Sequence, residues 1–182
     1  MRLEGKDIVL NTLEREDCRT LWRNTEYDFD HPTEPLNLGH SVEKADAWFE
    51  EIQREQGNRH VRLGIFAHGV GVIGDVALQD IDRVHRCCTL GMGIAKLEHR
   101  CKGYGSQAVA LMLRHAFQDL GLERVSARTL EGNLAARRSL ERSGFVLEEI
   151  ERKAVYLGGE KCDRFCYAML REEYLALCGT AG

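Results

Sequence analysis

The sequence predicts one mixed α/β domain, and three observations carry that expectation. Its 182 residues suffice for a single compact core and fall short of two. Helical and alternating periodicities follow one another with no internal repeat or low-complexity linker between them. Three alternating segments run in succession before a glycine-rich stretch opens a helix, an order that does not match a regular doubly wound sheet.

Taken in order, Ile8 to Leu13 reads as a first strand and Arg15 to Arg23 as a short helix carrying Leu21 and Trp22. A loop from Asn24 to Gly39 holds both prolines, Pro32 and Pro35. Ser41 is placed to cap a helix in which Ala45, Trp48, Phe49 and Ile52 recur at helical spacing. Val61, Leu63, Ile65 and Ala67 then alternate along a strand; His68-Gly69-Val70-Gly71 turns, and Val72 to Gln79 returns. A second turn at Asp80 to Arg83 leads into Cys87 to Ile94. Ser106 to Leu120 is helical, with Ala108, Leu111, Met112 and Ala116 on one face and Gly121 ending it. Val125 to Thr129 is strand-like, Asn133 caps a helix through Arg142, and Gly144 stops it. Phe145 to Tyr156 and Asp163 to Leu170 close the chain as a hairpin, giving about seven strands.

Composition excludes several function classes. A formal charge of −4 disfavours nucleic acid as the main partner. No apolar run reaches the length of a membrane span, and Met1-Arg2-Leu3-Glu4-Gly5-Lys6-Asp7 lacks the apolar stretch of a signal peptide, so the expected location is cytoplasmic. The seven cysteines contain no C-x-x-C pair and read mostly as small buried residues of a reducing compartment. His85, Cys87 and Cys88 crowd three donors into four residues, which matches no usual zinc spacing, so no metal is expected.

The chemistry concentrates in Met92 to Gln107. Arg100, Gly103 and Gly105 form R-x-x-G-x-G between a strand and a helix. Glycines there let the backbone turn and present successive N–H groups, and the helix start adds positive charge. Arg100 and Lys102 supply side-chain cations at the same place. A phosphate or pyrophosphate site follows, with a plain strand-to-helix turn as the alternative. No Lys-Ser or Lys-Thr follows the glycines, and Ala108 stands three after Gly105, so neither common nucleotide loop fits.

Arg100-Cys101-Lys102-Gly103-Tyr104-Gly105-Ser106 resembles the acetyl-CoA loop of the GNAT N-acetyltransferase superfamily. Asn133, with Gly144-Phe145 eleven and twelve residues on, resembles that family's next segment. Glu151 to Tyr156, Gly159, Asp163 and Leu170 to Glu173 resemble the end of the branch holding ribosomal-protein alanine, spermidine and small-amine acetyltransferases. The resemblance implies a mostly antiparallel sheet whose central strands splay, with helices on both faces. It implies acetyl-CoA as co-substrate, an amine acceptor and a homodimer or larger assembly. Met92, Gly93 and Ile94 would contact pantetheine, Arg100 to Ser106 would hold the pyrophosphate, and Asn133 would help position the thiol end, alongside its plain role as a cap.

The same resemblance exposes departures. Relatives carry a Tyr that serves as general acid seven residues after the Asn, or a Ser three after it; here stand Leu140 and Ala136. A Glu that acts as general base often stands on the strand before the loop, where this chain has Thr89. Asp75, a charge within an apolar strand, is the substitute candidate, either in a site or on a solvated face. Glu98 and His85 are weaker choices. Acidic and aromatic residues interleave from Glu26 to His31, so Glu26, Asp28 and Asp30 suit a cationic amine, such as a polyamine, an aminoglycoside or a protein N-terminus, unless the loop simply faces water. The missing acid and base leave an acyl-CoA-binding module without catalysis as the competing expectation.

Overall fold

The computed structural model describes residues 1–28 and 41–179. Eight strands build one sheet: β1 (Arg2–Glu4), β2 (Ile8–Asn11), β3 (Val61–Ala67), β4 (Gly71–Asp82), β5 (Cys87–Ile94), β6 (Arg124–Leu130), β7 (Val146–Leu157) and β8 (Glu160–Leu170). Their order is β1-β2-β3-β4-β5-β6-β8-β7, and every pairing is antiparallel except β5 with β6. The short β1 is the strand beyond the sequence expectation.

Alternation decides the faces. Ile8, Leu10, Leu63, Ile65, Val76, Leu78, Leu90, Val125 and Ala127 point to one side, where α3 (Tyr104–Arg114) buries Ala108, Val109, Leu111 and Met112 against them. Each such valine, leucine or isoleucine side chain contributes about 1.5–3 kcal/mol of burial. α4 (Leu134–Arg142) lies on the same side and packs Leu140 near Phe145, Phe165 and Tyr167. The opposite side carries α1 (Arg15–Asn24) and α2 (Val42–Glu55), whose Cys18, Leu21 and Ile52 close over Leu13 and Ala95. Arg19 clamps the two helices by a bidentate contact to Asp46, both bonds 2.8 Å. The helix expected from Ser106 to Leu120 begins at Tyr104 and ends where expected, its last part widened into a π turn over His115–Asp119, where His115 Nδ1 meets Asp119 at 2.7 Å. α5 (Arg171–Gly179) follows β8 and stacks Tyr174 on Phe117 with ring centroids 5.0 Å apart.

Two sheet irregularities matter for the site. β4 bulges opposite Ile65 and Phe66, and Gly74 sits so close to β5 that a Cβ there would overlap the Gly93 carbonyl oxygen. β7 bulges between Leu147 and Glu149. Strict alternation in V-L-E-E-I-E would turn Ile150 away from Leu147; the extra residue lets Leu147 pair with Tyr167 and Ile150 with Phe165 on the α4 side. Glu149 and Glu151 are thereby sent to the α1–α2 face, opposite Cys166 and Arg164.

Candidate functional site

The central opening is defined by where pairing stops. β5 and β6 are bonded only from Cys87↔Arg124 to Leu90↔Ala127. Beyond that point β5 stays on β4 as far as Gly74↔Ile94, and β6 stays on β8 as far as Leu130↔Arg164. Gly91 to Ile94 and Arg128 to Leu130 therefore diverge, leaving each with a backbone edge that has no strand partner across the gap. Such an edge is a row of donors and acceptors ready for an extended ligand.

At the mouth of the gap the chain forms an anion cradle. Cys101 and Gly103 both take positive φ, +59° and +84°, and Gly103 is the N-cap of α3. The first helical bond there runs from Gln107 N to Gly103 O at 3.1 Å, so the N–H groups just before it point outward. No acid stands in the first turn of α3, which leaves its positive end uncompensated. Lys102 is exposed beside it, while Arg100 spends its Nε on the Ile94 carbonyl at 3.2 Å and ties the loop to β5. Met92 belongs to the same construction, since its thioether lies against Gly105. Ser106 and Ser139 hydroxyls sit 3.2 Å apart and link α3 to α4. Asn133 accepts from Ala136 N at 3.0 Å as the cap of α4, directly after β6 ends. These groups fit a pyrophosphate at the helix start with a thiol-bearing arm running into the gap.

The α1–α2 face of the gap is built from side chains instead. Asp75 lies beside Gly93 across β4 and β5 and is ion-paired with Arg62, whose guanidinium lies 5.6 Å from the Trp48 ring. Burial pushes the Asp75 carboxyl above the ordinary range, with Arg62 pulling the other way. Thr89 and Ser126 are register partners over the paired half of β5 and β6, and they help line a pocket of about 550 Å³ with Cys87 and Arg124. Arg124 in turn holds Glu148, with one bond of 2.8 Å, and Arg164 holds Glu151. The donor atoms of Glu149, Glu151 and Cys166 lie within 4.8 Å of one another, but the Arg164 guanidinium already occupies Glu151.

The sequence candidates divide accordingly. Met92, Gly93, Ile94, Arg100 to Ser106 and Asn133 come together around the gap, and Asp75 joins them from the other face. Glu26 lies near the same end but uses its carboxylate on Leu97 N–H at 2.8 Å, while Glu26 N donates to Ala95 O at 2.9 Å. That staple holds the end of α1 against the segment after β5. Asp28 also has a partner, and Asp30 lies outside the described residues. Leu140 is core, 7% exposed, and Ala136 offers the cap its N–H. His85 sits in a turn with its N–H on Asp82, and Cys87 and Cys88 alternate across β5. Sequence reading missed Arg62, Ser126, Arg128, Glu149 and Glu151. Alternation could have flagged Ser126 and Arg128; the bulge hid the two acids.

Comparison with known proteins agrees with this geometry. Residues 7–146 match the acetyltransferase (GNAT) domain family. The Bacillus subtilis (strain 168) protein YdaF, whose name carries ribosomal N-acetyltransferase activity as an unproven assignment, is 32% identical over 114 residues; the match takes 63% of this chain and 61% of YdaF. Mycobacterium smegmatis RimJ, solved in complex with CoA-disulfide, superposes with a TM-score of 0.81 at 21% identity, over 95% or less of either chain (94% of this one, 89% of RimJ). The dodecameric Vibrio cholerae spermidine N-acetyltransferase gives 0.75 at 24%, covering 94% of this chain and 98% of that one. At those identities the two structures speak for the fold alone.

Proposed function

We propose that this chain, which belongs to the acetyltransferase (GNAT) family, moves the acetyl group of acetyl-CoA directly to a primary amine. The observation that carries the reading is the four-residue limit of β5–β6 pairing with the α3 cradle at its mouth. Acetyl-CoA is the acyl donor of the family and supplies an activated acetyl group when bound. Gly103 to Ser106 would hold its pyrophosphate on outward N–H groups, with Lys102 adding charge. Met92, Gly93 and Ile94 would line the arm, and the unpaired β5 edge would polarise the acetyl carbonyl. Asn133 keeps the start of α4 beside the thiol end.

The acceptor approaches from the α1–α2 face. Its nitrogen forms the new C–N bond as the C–S bond breaks; the nitrogen sheds one proton and the sulfur gains one. Asp75 is our candidate for taking the proton, because its burial-raised carboxyl borders Gly93. Holding both reactants in one cleft supplies much of the rate, so a modest base suffices. Glu26 and Asp28 shape the entrance, and Glu26 does so through its bond to Leu97 N–H. We place the protein in the cytoplasm, a reducing compartment that suits its seven unpaired cysteines; no helix among the described residues is long and apolar enough to cross a membrane. A homodimer belongs to the same reading, supported by Val146, Leu147 and Ile150, which edge strand β7 leaves exposed.

The test is thiol release from acetyl-CoA with a panel of primary amines, run on wild type and Asp75→Asn. Turnover should fall about 100-fold or more in the variant, with acetyl-CoA affinity unchanged. Unchanged turnover removes Asp75 from the mechanism. Tight acetyl-CoA binding with no thiol release on any amine would replace the enzyme by an acyl-CoA-binding module.

A further inference from the structure

Among the described residues, one cation on the acceptor side of the gap has no hydrogen bond or ion pair of its own. Arg128 is the first β6 residue past the last β5–β6 pair, Leu90↔Ala127, so it stands where the two strands part. Its neighbours Ala127 and Thr129 are buried toward α3 and α4, and alternation turns Arg128, which is exposed, to the α1–α2 face. The other guanidinium groups of that face are engaged: Arg62 by Asp75, Arg124 by Glu148 and Arg164 by Glu151. Arg128 acts on Glu151 and Cys166 through its charge alone, with its guanidinium N–H groups left uncommitted among the described residues. Its cross-strand neighbour is Cys166, and the uncommitted carboxylate of Glu149 lies one strand further on. Two strand spacings put the two backbone positions roughly 10 Å apart, and no ion pair joins Arg128 to Glu149.

A free guanidinium at that point sorts amines by what else they carry. It repels an ammonium group and lowers its pKa, which favours the neutral nucleophile. It also offers a planar fork that a carboxylate fills with two bonds. A polyamine brings only cations to this spot. An amine with a carboxylate a few bonds away brings the group that Arg128 lacks.

We propose that Arg128 anchors a carboxylate of the acceptor, making the acceptor a free α-amino acid or a molecule of that chemistry. The inference rests on the acetyl-transfer reading above and narrows it. Bidentate anchoring leaves the α-nitrogen within reach of the gap beside Gly91, where β5 and β6 separate. Glu149 is then placed for a cationic side chain at the far end of a longer acceptor.

Two readouts test it, one without turnover. Binding of N-acetylalanine and of N-acetylalaninamide to the CoA-loaded protein would be compared by calorimetry. The carboxylate should bind roughly 10- to 100-fold tighter in wild type, the range of a charge-assisted hydrogen bond. Arg128→Gln should abolish that ratio and Arg128→Lys should restore part of it. In turnover, kcat/KM for alanine should fall by the same factor in Arg128→Gln, mainly through KM, while kcat/KM for alaninamide and spermidine should hold or rise as the repulsion of their ammonium groups is removed. Equal binding of the two N-acetyl compounds, or a ratio that survives Arg128→Gln, overturns the anchor even if amines are acetylated. A ratio that depends on Arg128 with no thiol release on any amine supports the anchor and removes the acetyl-transfer reading instead.

Discussion

The two sides of the gap are made in different ways. On the α3 side, seven consecutive residues, Arg100 to Ser106, form the cradle, and their contribution is mostly main chain: positive φ at Cys101 and Gly103, then outward N–H groups at the start of α3. On the α1–α2 side, Arg62, Asp75, Thr89, Ser126, Arg128 and Glu149 arrive from five strands, and their contribution is side chain. One site depends on local backbone geometry, the other on register. A generic ligand part can be read by a short loop, whereas the variable part is read where single substitutions change charge without refolding anything.

That contrast can be broken from the cradle side with the largest effect. Ser106→Asp puts a carboxylate in the first turn of α3, where it favours the helix by about 0.3–1 kcal/mol. The same charge would face the pyrophosphate in the proposed site and should weaken acetyl-CoA binding roughly 100-fold, given interactions of about 4 kcal/mol between unit charges at 4 Å near a surface. A higher melting temperature with a much higher acetyl-CoA Kd is the expected pair of results. Unchanged affinity would move the pyrophosphate away from Ser106.

Register is the target of the second test. A methyl group at Gly74 would strike the Gly93 carbonyl oxygen, a backbone atom that cannot rotate away. Gly74→Ala should cost about 1–3 kcal/mol, the usual range for overpacking, and lower the melting temperature by several degrees. Because Asp75 follows Gly74 and pairs with Gly93, KM for the amine should rise more than Kd for acetyl-CoA. Equal losses in both would mean that the two sides share one framework.

Legibility in the sequence follows the same division. R-x-x-G-x-G was readable because its residues are adjacent and glycine reports backbone conformation. The meander and the α3 face were readable from period alone, as Leu63, Ile65 and Val76 show. The start of α3 at Tyr104 rather than Ser106 was not, since Gly103 caps the helix by its left-handed conformation rather than by a side chain. Glu149 and Glu151 were hidden because the bulge shifts alternation by one residue, and no local signal in V-L-E-E-I-E marks which Glu is extra. Glu26 was read as a docking charge because a sequence does not show that Leu97 N–H will claim it.

The smallest expected effect separates the structural acid of that bulge from its neighbours. Arg124 holds the Glu148 carboxyl below the ordinary glutamate range, chiefly through their hydrogen bonds and against a slight opposing effect of burial. A depressed carboxylate stabilises the fold above its unfolded pKa, about 4.3, and loses that contribution as pH falls through the lower folded value. Glu148→Gln should therefore lower the melting temperature by one or two degrees at pH 7, since exposed pairs contribute at most about 1 kcal/mol. The gap between wild type and variant should close as melting curves are taken from pH 5 down toward pH 3. The Arg128-dependent preference for a carboxylate should survive the substitution, because Glu148 is committed to Arg124. A loss of that preference would place Glu148 in the acceptor site and make the bulge itself part of recognition.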